Sequence, residues 1–288
     1  MLYWLDALID FHGGPFSSVV GRLRKLGLRT ASSVHLPDVS PAGRPLGHPY
    51  ISLAYEHAFD VFAPCSEQLG DWLHAMGVPE EKILPVPNAP GFRIAPQTLE
   101  DCLRARASRD DKAPLRVLFL GRLDPQKGLD RLAQVVERSA GLNLEWRVIG
   151  KAVLSPQGGR ALPEVLAPLL EPPLTTPEAL AAAYAQADVL VLLSGYEGLP
   201  LTILEAMRQG VVVLATDVGA VAEVVRHGQN GLLLPLEAAV SACLEGLAQL
   251  SSDRQMLRRL SQRAALDMEG REWSSAAAAL IGRLTAPR

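Results

Sequence analysis

The chain has 288 residues, is 48% hydrophobic and carries a formal net charge of −3, a composition that suits a folded protein of about two domains. The mild acidity excludes a general nucleic-acid footprint, and no apolar run reaches the roughly 18 residues that a membrane span needs. Three scattered cysteines without metal-ligand spacing predict free thiols in a reducing, cytoplasmic compartment.

The first part of the chain predicts alternating strands and helices. The predicted strands are "LYWLDALI", "TASSVHL" and "DVFAPCS". The predicted helices are "SSVVGRLRKLG", capped by Ser17 or Ser18, then "YISLAYEHAF", and then "SEQLGDWLHAMG", capped by Ser66. The segment from Pro37 to Pro49 is rich in Pro and Gly and predicts a surface loop. The polar segment from Arg106 to Pro114 ends in proline before a strand, and we place a domain boundary there.

After that boundary the alternation becomes regular. Apolar segments predict strands covered on both faces at "LRVLFLG", "LEWRVIG", "VLVLLS" and "VVVLAT". Helices are predicted at "LDRLAQVVERSAG", at "PEALAAAYAQAD" and from Pro200 onward. This alternation favours a doubly wound parallel sheet over residues 115–235. No strand is followed by G-x-G-x-x-G and no P-loop signature occurs, which disfavours a cofactor-dependent oxidoreductase.

The segment "YEGLPLTILEAMRQG" places two carboxylates around the start of a predicted helix. Glu197 lies on the loop before this helix, and Glu205 lies one turn inside it, with seven residues between them. The first amides of the helix, near Leu201 and Thr202, and its positive dipole end predict an anion site at the carboxyl end of the sheet. The pattern suits a diphosphate flanked by hydroxyl-rich groups. Two solvated helix-end glutamates are the alternative interpretation.

The segment "GRLDPQKG" follows the carboxyl end of another predicted strand. Gly121 allows a tight turn, Arg122 offers a planar fork of donors, and Lys127 adds a point charge. Two cations at a strand end neutralise a diphosphate and the charge of a leaving group without a metal. Ordinary surface cations are the alternative, but the occurrence of both motifs in one predicted sheet favours a functional site.

Three longer stretches, "GRLDPQKGLDRL", "ADVLVLLSGYEGLPLTILEAM" and "VLATDVGAVAEVVRHGQNGLLLP", resemble the donor-binding domain of the family 4 retaining glycosyltransferases. The resemblance extends over residues 59–284. It implies the GT-B fold, which consists of two Rossmann-like doubly wound α/β domains. It also implies an acceptor-side domain over residues 1–110, a nucleotide-sugar donor domain over residues 111–268 and a closing helix over residues 269–288 that crosses back to the first domain.

The resemblance implies a hexosyl-type transferase that moves a sugar from a nucleotide-diphosphate sugar to a hydroxyl acceptor with retention. The acceptor is expected to be a glycan, a polysaccharide or a lipid-linked intermediate, and neither a cofactor nor a bound metal is expected. Arg122 and Lys127 are implied to hold the diphosphate, Glu205 the ribose hydroxyls, and Glu197 is implied to face the donor sugar. His35 in "SVHLP" resembles a family histidine that approaches the donor sugar.

The chain also departs from the family pattern. Only about 105 residues precede the predicted boundary, so we expect a shortened first domain whose first strands are absent or belong to a partner chain. The turn Gly150–Leu154 replaces a glycine-x-glycine turn near the expected base contact, which leaves the base unassigned, and Asn88–Gly91 reads "NAPG" in place of "NG". The stretch "LLEPPLTTPEAL" replaces a typical strand-and-glycine segment.

Three further questions stay open at the level of sequence. The basic cluster Arg22, Arg24, Lys25 and Arg29 leaves open a peripheral contact with anionic lipid at the inner membrane face, although a solvated basic helix face is the simpler interpretation. A nucleotide-sugar-binding remnant that is inactive without a partner is one alternative function. A GT-B-type epimerase or phosphorylase with the same two-domain plan is another.

Overall fold

The computed structural model describes residues 16–35, 38–39, 45–46, 52–54, 56–151 and 162–286. The chain divides into two compact units, one formed by residues 1–89 with 271–288 and the other by residues 90–270. The predicted strand "LYWLDALI" and most of the predicted loop between Pro37 and Pro49 lie outside the described residues. The predicted helix "YISLAYEHAF" is described only in part.

The helices are α1 (Phe16–Lys25), α2 (Glu67–Ala75), α3 (Pro96–Ala107), α4 (Leu129–Arg138), α5 (Pro177–Ala185), α6 (Leu201–Arg208), α7 (Ala239–Ser252), α8 (Arg254–Asp267) and α9 (Trp273–Thr285). The strands are β1 (Ala31–Val34), β2 (Asp38–Val39), β3 (Pro45–Leu46), β4 (Val61–Pro64), β5 (Leu115–Leu120), β6 (Leu144–Ile149), β7 (Leu170–Glu171), β8 (Val189–Leu192), β9 (Val212–Thr216) and β10 (Gly231–Leu234). Short 3-10 turns lie at Glu56–Ala58, Glu80–Lys82, Pro125–Lys127, Glu164–Leu169, Gly219–Glu223 and Leu236–Ala238.

In the first unit, β1 and β4 pair in parallel, with Ala31 opposite Val61 and Val34 opposite Pro64. The whole of β4 is buried. The predicted cap of α2 is confirmed, because the Ser66 hydroxyl accepts a hydrogen bond from the Leu69 amide. The predicted cap of α1 is wrong, because that helix already begins at Phe16 and places Ser17 and Ser18 inside its first turn.

The second unit contains a six-stranded parallel sheet in the order β10-β9-β8-β5-β6-β7. The chain moves outward from β5 through β6 to β7, and then returns to the other side of β5 to add β8, β9 and β10. The strand order therefore reverses between β5 and β8, which are neighbours in the sheet. Doubly wound sheets open a ligand-binding crevice at the carboxyl ends of such a pair. The predicted doubly wound parallel sheet is confirmed.

The residues of the central strands explain their place in the sheet. Every residue of β8 and β9 is buried, as expected for apolar parallel strands with helices on both faces. Helix α4 buries Leu132, Val135 and Val136, which lie on one face at helical spacing.

The stretch "LLEPPLTTPEAL" does contain a strand, but β7 is only two residues long and lies at the edge of the sheet. Within the described residues, no helix has both the length and the apolar content needed to cross a membrane.

The segment from Arg106 to Pro114, where the sequence suggested a domain boundary, lies inside the second unit. The preceding helix α3 was not predicted, and it is anchored by Arg106, whose guanidinium donates to the carbonyls of Tyr184, Ala187 and Gln209. These carbonyls lie at or just after the carboxyl ends of α5 and α6, where the negative end of each helix dipole favours a cation. The polar segment therefore connects α3 to β5 within one unit. The functional division into acceptor-side and donor-binding domains stays a prediction.

Asp188 fastens the amino-terminal ends of β5 and β8 together. It is 3% exposed, and its carboxylate lies 2.7 Å from the guanidinium groups of both Arg109 and Arg116. The Arg116 amide donates a third hydrogen bond to it at 2.9 Å. Burial by itself would raise the pKa of Asp188, but the hydrogen bonds from Arg116 and the charges of Arg116 and Arg109 lower it overall.

We expect Asp188→Asn to reduce the free energy of unfolding by about 2–4 kcal/mol at pH 7, because it leaves two half-buried guanidinium groups without their anion. Because the pKa is lower in the folded state, the stabilisation by Asp188 is complete above the unfolded value of about 3.9 and is lost as the pH falls through the folded value. Urea unfolding at several pH values should therefore show the wild-type and variant curves converging in acid. Asp101→Asn, in an exposed ion pair with Arg104, is the matched control and should change stability by less than about 0.5 kcal/mol. An equal effect of both substitutions would contradict the anchoring role of Asp188.

Candidate functional site

The loop after β5 carries the first predicted cluster of site residues. The chain turns at Gly121 and forms the turn Pro125–Lys127, which is capped by the Asp124 carboxylate accepting from the Lys127 amide at 3.0 Å. Gly128 then adopts the left-handed conformation with φ 70°, and a Cβ atom there would lie 1.9 Å from the Leu193 carbonyl oxygen. Only glycine therefore lets this loop lie directly against the end of β8.

Arg122 lies on the same loop and is the more exposed of the two predicted phosphate-binding cations. Its side chain is 58% exposed and lies 3.3 Å from the Asp124 carboxylate. One of its nitrogens also donates to Gln126 Oε1 at 2.9 Å. Because most of this guanidinium is exposed, it is accessible to an anion.

The loop after β8 is fastened to the β5 loop by direct hydrogen bonds. The Gly195 amide donates to the Gln126 carbonyl at 2.7 Å, and Gln126 Nε2 donates to the Tyr196 carbonyl at 3.1 Å. From α4, Arg131 Nε donates to the Leu193 carbonyl at 2.8 Å. The sequence reasoning missed Gln126 and Arg131, although Gln126 lies inside the quoted motif "GRLDPQKG". These contacts make the two strand-end loops one local structure.

Lys127 and Glu197 join the two predicted motifs at the centre of this structure. Lys127 Nζ lies 2.6 Å from Glu197 Oε1, and the side chains are 13% and 7% exposed. The Ser194 hydroxyl donates to the same carboxylate oxygen at 2.5 Å. The structure therefore brings together two residues that are 70 positions apart in the sequence, at the switch point of the sheet.

A third segment, which follows β9, also packs against the loop that carries Glu197. The Ala220 amide donates to the Gly198 carbonyl at 3.0 Å. Gly219 has φ 54°, and a Cβ atom there would lie 1.9 Å from the Glu197 carbonyl oxygen. The backbone at Glu197 therefore contacts the segment after β9 so closely that only glycine fits at position 219.

Helix α6 begins at Leu201, and Pro200 precedes it as the capping residue instead of occupying the first helical position. The first amides of a helix have no partner within it, so the Leu201 and Thr202 amides are available at the crevice. Thr202 Oγ1 is buried and has no hydrogen-bond partner among the described residues. Such an orphaned hydroxyl next to free amides is a donor set that fits a phosphate.

Glu205 lies in the second turn of α6 in a different environment from Glu197. It is 7% exposed, its Oε2 accepts from the Tyr184 hydroxyl at 2.9 Å, and its Oε1 accepts from the Gly91 amide at 3.2 Å. Burial raises the pKa of Glu205, while the hydrogen bonds from Tyr184 and Gly91 act in the opposite direction. The sequence spacing predicted the carboxylate but did not predict these two donors.

His35 lies in the first unit, directly after β1, and its side chain is exposed. Its Nε2 lies 2.8 Å from the Ser33 hydroxyl. Its role towards a donor sugar stays a prediction. Among the residues that the structure describes, no three His, Cys, Asp or Glu side chains are grouped so that they could hold a metal ion.

The carboxyl ends of β5 and β8, followed by the Lys127–Glu197 pair and the amino terminus of α6, form the kind of strand-order reversal at which doubly wound α/β domains bind ligands. Residues 104–267, more than half of the chain, match the family described as "Glycosyl transferases group 1". The chain belongs to this family, whose match covers the β5 loop, the β8 loop and helix α6.

Two curated relatives and one solved structure illustrate the similarity. A D-inositol 3-phosphate glycosyltransferase of Streptomyces bingchenggensis is 32% identical over 96% of this chain and 64% of its own length. A GDP-mannose-dependent alpha-mannosyltransferase of Mycobacterium tuberculosis is 30% identical over 68% of this chain and 49% of its own length. The crystal structure of Anabaena HepE in complex with UDP aligns with a TM-score of 0.71 at 18% identity, over 93% of this chain and 75% of that one.

These comparisons confirm the predicted GT-B class of fold and favour a transferase over the epimerase alternative. The chain spans less than two thirds of the length of the curated relatives described above.

We expect Gly219→Ala to destabilise the protein more than Gly228→Ala does. Both glycines have left-handed φ angles, 54° and 71°, so both substitutions cost about 1–2 kcal/mol of backbone strain. Only at position 219 does the new methyl group collide with the Glu197 carbonyl, which should add about 1–3 kcal/mol, whereas a Cβ at position 228 meets open space. Urea unfolding of the two variants measures the difference, and equal destabilisation would contradict the close support of the Glu197 loop.

Proposed function

We propose that this protein is a retaining glycosyltransferase that moves a hexose-type sugar from a nucleotide-diphosphate sugar to a hydroxyl acceptor. The observation that carries this proposal is the Lys127–Glu197 ion pair at the switch point, next to the amino terminus of α6. Family membership and the transferase names of the relatives support the same reaction class.

In this proposal the diphosphate of the donor lies between the β5 loop and the start of α6. Arg122 and Lys127 bind its charge, and the amides of Leu201 and Thr202, with the orphaned Thr202 hydroxyl, bind its oxygens. Negative charge grows on the diphosphate as the bond to the sugar breaks. Lys127, which its ion pair already fixes in place, stabilises that charge more in the transition state than in the ground state, which accelerates the reaction.

Glu197 faces the donor sugar in this arrangement, and Glu205 binds the ribose hydroxyls. The ammonium of Lys127 has three donor hydrogens and uses one of them on Glu197, so two remain for phosphate oxygens. The ion pair therefore fixes the lysine without using up its capacity to bind the donor. His35 of the first unit is proposed to approach the donor sugar.

Retention and metal independence are parts of the proposal that follow from the resemblance to family 4. The two cations at the β5 loop are proposed to stabilise the charge of the leaving diphosphate, a task that a metal ion can also perform. The leaving diphosphate is proposed to accept the proton of the acceptor hydroxyl, so that Glu197 need not act as a covalent nucleophile. The distance between two carboxylates, which distinguishes retaining from inverting glycoside hydrolases, therefore does not determine the stereochemistry of this reaction.

The acceptor is proposed to be a glycan, a polysaccharide or a lipid-linked intermediate, with action in the cytoplasm or at the inner membrane face. Contacts with a membrane and with a partner chain are further parts of this proposal. The donor base is unassigned, because the turn after Gly150 that was expected to contact it leads into residues 152–161, outside the described part of the chain.

The proposal is tested with a panel of UDP- and GDP-hexoses, in which release of UDP or GDP, with and without EDTA, is measured by chromatography. We expect one donor to be hydrolysed slowly in the absence of acceptor, and EDTA to leave the rate unchanged. NMR of the first-formed sugar should show the same anomeric configuration as the donor. Binding without turnover of any donor, across acceptors of all three classes, would refute the enzymatic assignment, and an inverted product would refute retention alone.

We expect Lys127→Ala to lower kcat/KM for the active donor by about 10²-fold or more, because one preorganised cation next to the leaving group is lost. The exposed Lys112, which lies on the loop before β5, provides a matched control, and Lys112→Ala should leave the rate within about twofold of wild type. Steady-state kinetics with both variants checks this expectation. A near wild-type rate in Lys127→Ala would show that the lysine does not bind the diphosphate.

A further inference from the structure

The carboxylate of Glu205 is held from two directions within the second unit. The Tyr184 hydroxyl donates to Oε2 at 2.9 Å from α5, and the Gly91 amide donates to Oε1 at 3.2 Å from the segment before α3. Among the described residues, no cation forms an ion pair with Glu205, so these two neutral donors orient it. Its environment therefore differs from that of Glu197, which is paired with Lys127.

Both donors are themselves fixed by packing. Tyr184 is 0% exposed, and its ring stacks on Phe92 with the centroids 6.1 Å apart and the planes at 27°. Arg208, one turn after Glu205 on α6, donates to the Phe92 carbonyl at 3.0 Å. Phe92 therefore anchors the segment that presents the Gly91 amide. A Cβ atom at position 91 would lie 2.7 Å from Glu205 Oε1, so a side chain there must displace the carboxylate or the segment.

The remaining hydrogen-bonding capacity of this carboxylate matches a vicinal diol. An ionised carboxylate has about four lone-pair sites, and Tyr184 and Gly91 occupy one on each oxygen. One site on each oxygen remains, which suits two neighbouring hydroxyl groups such as those of ribose. Burial raises the pKa of Tyr184 well above its ordinary value, so its hydroxyl keeps the proton that it donates.

We propose that Tyr184 and Gly91 are positioning residues that orient the Glu205 carboxylate towards the ribose diol and thereby set a preference for ribonucleotide over deoxyribonucleotide donors. This inference rests on the proposed function, because it takes Glu205 as the ribose-binding residue. The inference also explains why glycine occupies position 91 of "NAPG". The Gly91 amide donates to the Glu205 carboxylate, and the absence of a side chain leaves room for that carboxylate.

The inference is tested by isothermal titration calorimetry with UDP and GDP and with their 2′,3′-dideoxy counterparts. Hydrogen bonds to a charged acceptor are worth roughly 1.5–3 kcal/mol, so the wild type should prefer the ribonucleotide by about 10- to 100-fold. Glu205→Ala should abolish this preference. Tyr184→Phe and Gly91→Ala should each reduce it several-fold while leaving the affinity for the dideoxynucleotide unchanged.

Gln186→Ala provides the matched control, because Gln186 follows Tyr184 closely in the chain but binds Arg147 and not Glu205. It should keep the full ribose preference. Equal weakening of both nucleotide types in Tyr184→Phe would indicate a merely structural role and overturn the inference. An undiminished ribose preference in both Tyr184→Phe and Gly91→Ala would also overturn the inference.

The outcomes also separate this inference from the proposed function. Failure of the wild type to bind either nucleoside diphosphate would refute the proposed function, and the inference with it. Binding by the wild type without any ribose preference would overturn the inference and the ribose-binding role of Glu205, but not the proposed transfer reaction, since the cations and amides of the diphosphate site do not depend on Glu205. Far-ultraviolet circular dichroism of each variant establishes that a loss of preference occurs in a folded protein.

Discussion

The carboxyl ends of β5 and β8 are fastened to each other by hydrogen bonds between their loops, and the Lys127–Glu197 ion pair lies among these bonds. Both charges are largely withdrawn from water, and a buried charge without its partner is strongly destabilising. Each residue therefore requires the other. The close backbone contacts at Gly128 and Gly219 follow from the same constraint, because they let the supporting segments reach the loops that carry the pair.

This constraint gives the crevice a fixed electrostatic arrangement before any ligand arrives. Groups that already point at the place where charge develops need no reorganisation during a reaction, and this is the main source of electrostatic catalysis. Arg122 differs from Lys127 in this respect, because its side chain is largely exposed and contacts Asp124 and Gln126 of its own loop. Of the two, Lys127 is therefore the fixed positive charge at this end of the sheet.

The two glutamates that follow β8, Glu197 and Glu205, lie in different environments. Glu197 accepts from an ammonium and a hydroxyl and lies on a loop, whereas Glu205 accepts from a phenol and a backbone amide and lies within a helix. The first environment places an anion next to a cation, and the second leaves an oriented, buried carboxylate with capacity to accept further hydrogen bonds. These environments are the basis on which the proposed function assigns Glu197 to the donor sugar and Glu205 to the ribose diol.

Local sequence determined the class of fold and most of the central elements. Apolar runs such as those of β5, β8 and β9 make buried parallel strands, and their alternation with helices leaves few topologies other than a doubly wound sheet. The sequence also singled out the β5 loop and the Glu197–Glu205 segment as candidates for a site, and the structure places Lys127 of the first next to Glu197 of the second. Only tertiary structure decided which partners these residues have. Tyr184 and Gly91 lie 21 and 114 positions from Glu205 in the sequence. Arg106 lies in a polar segment that suggested a domain boundary, although its side chain anchors α3. Such pairing between distant segments depends on packing, which leaves no periodic signal in the chain.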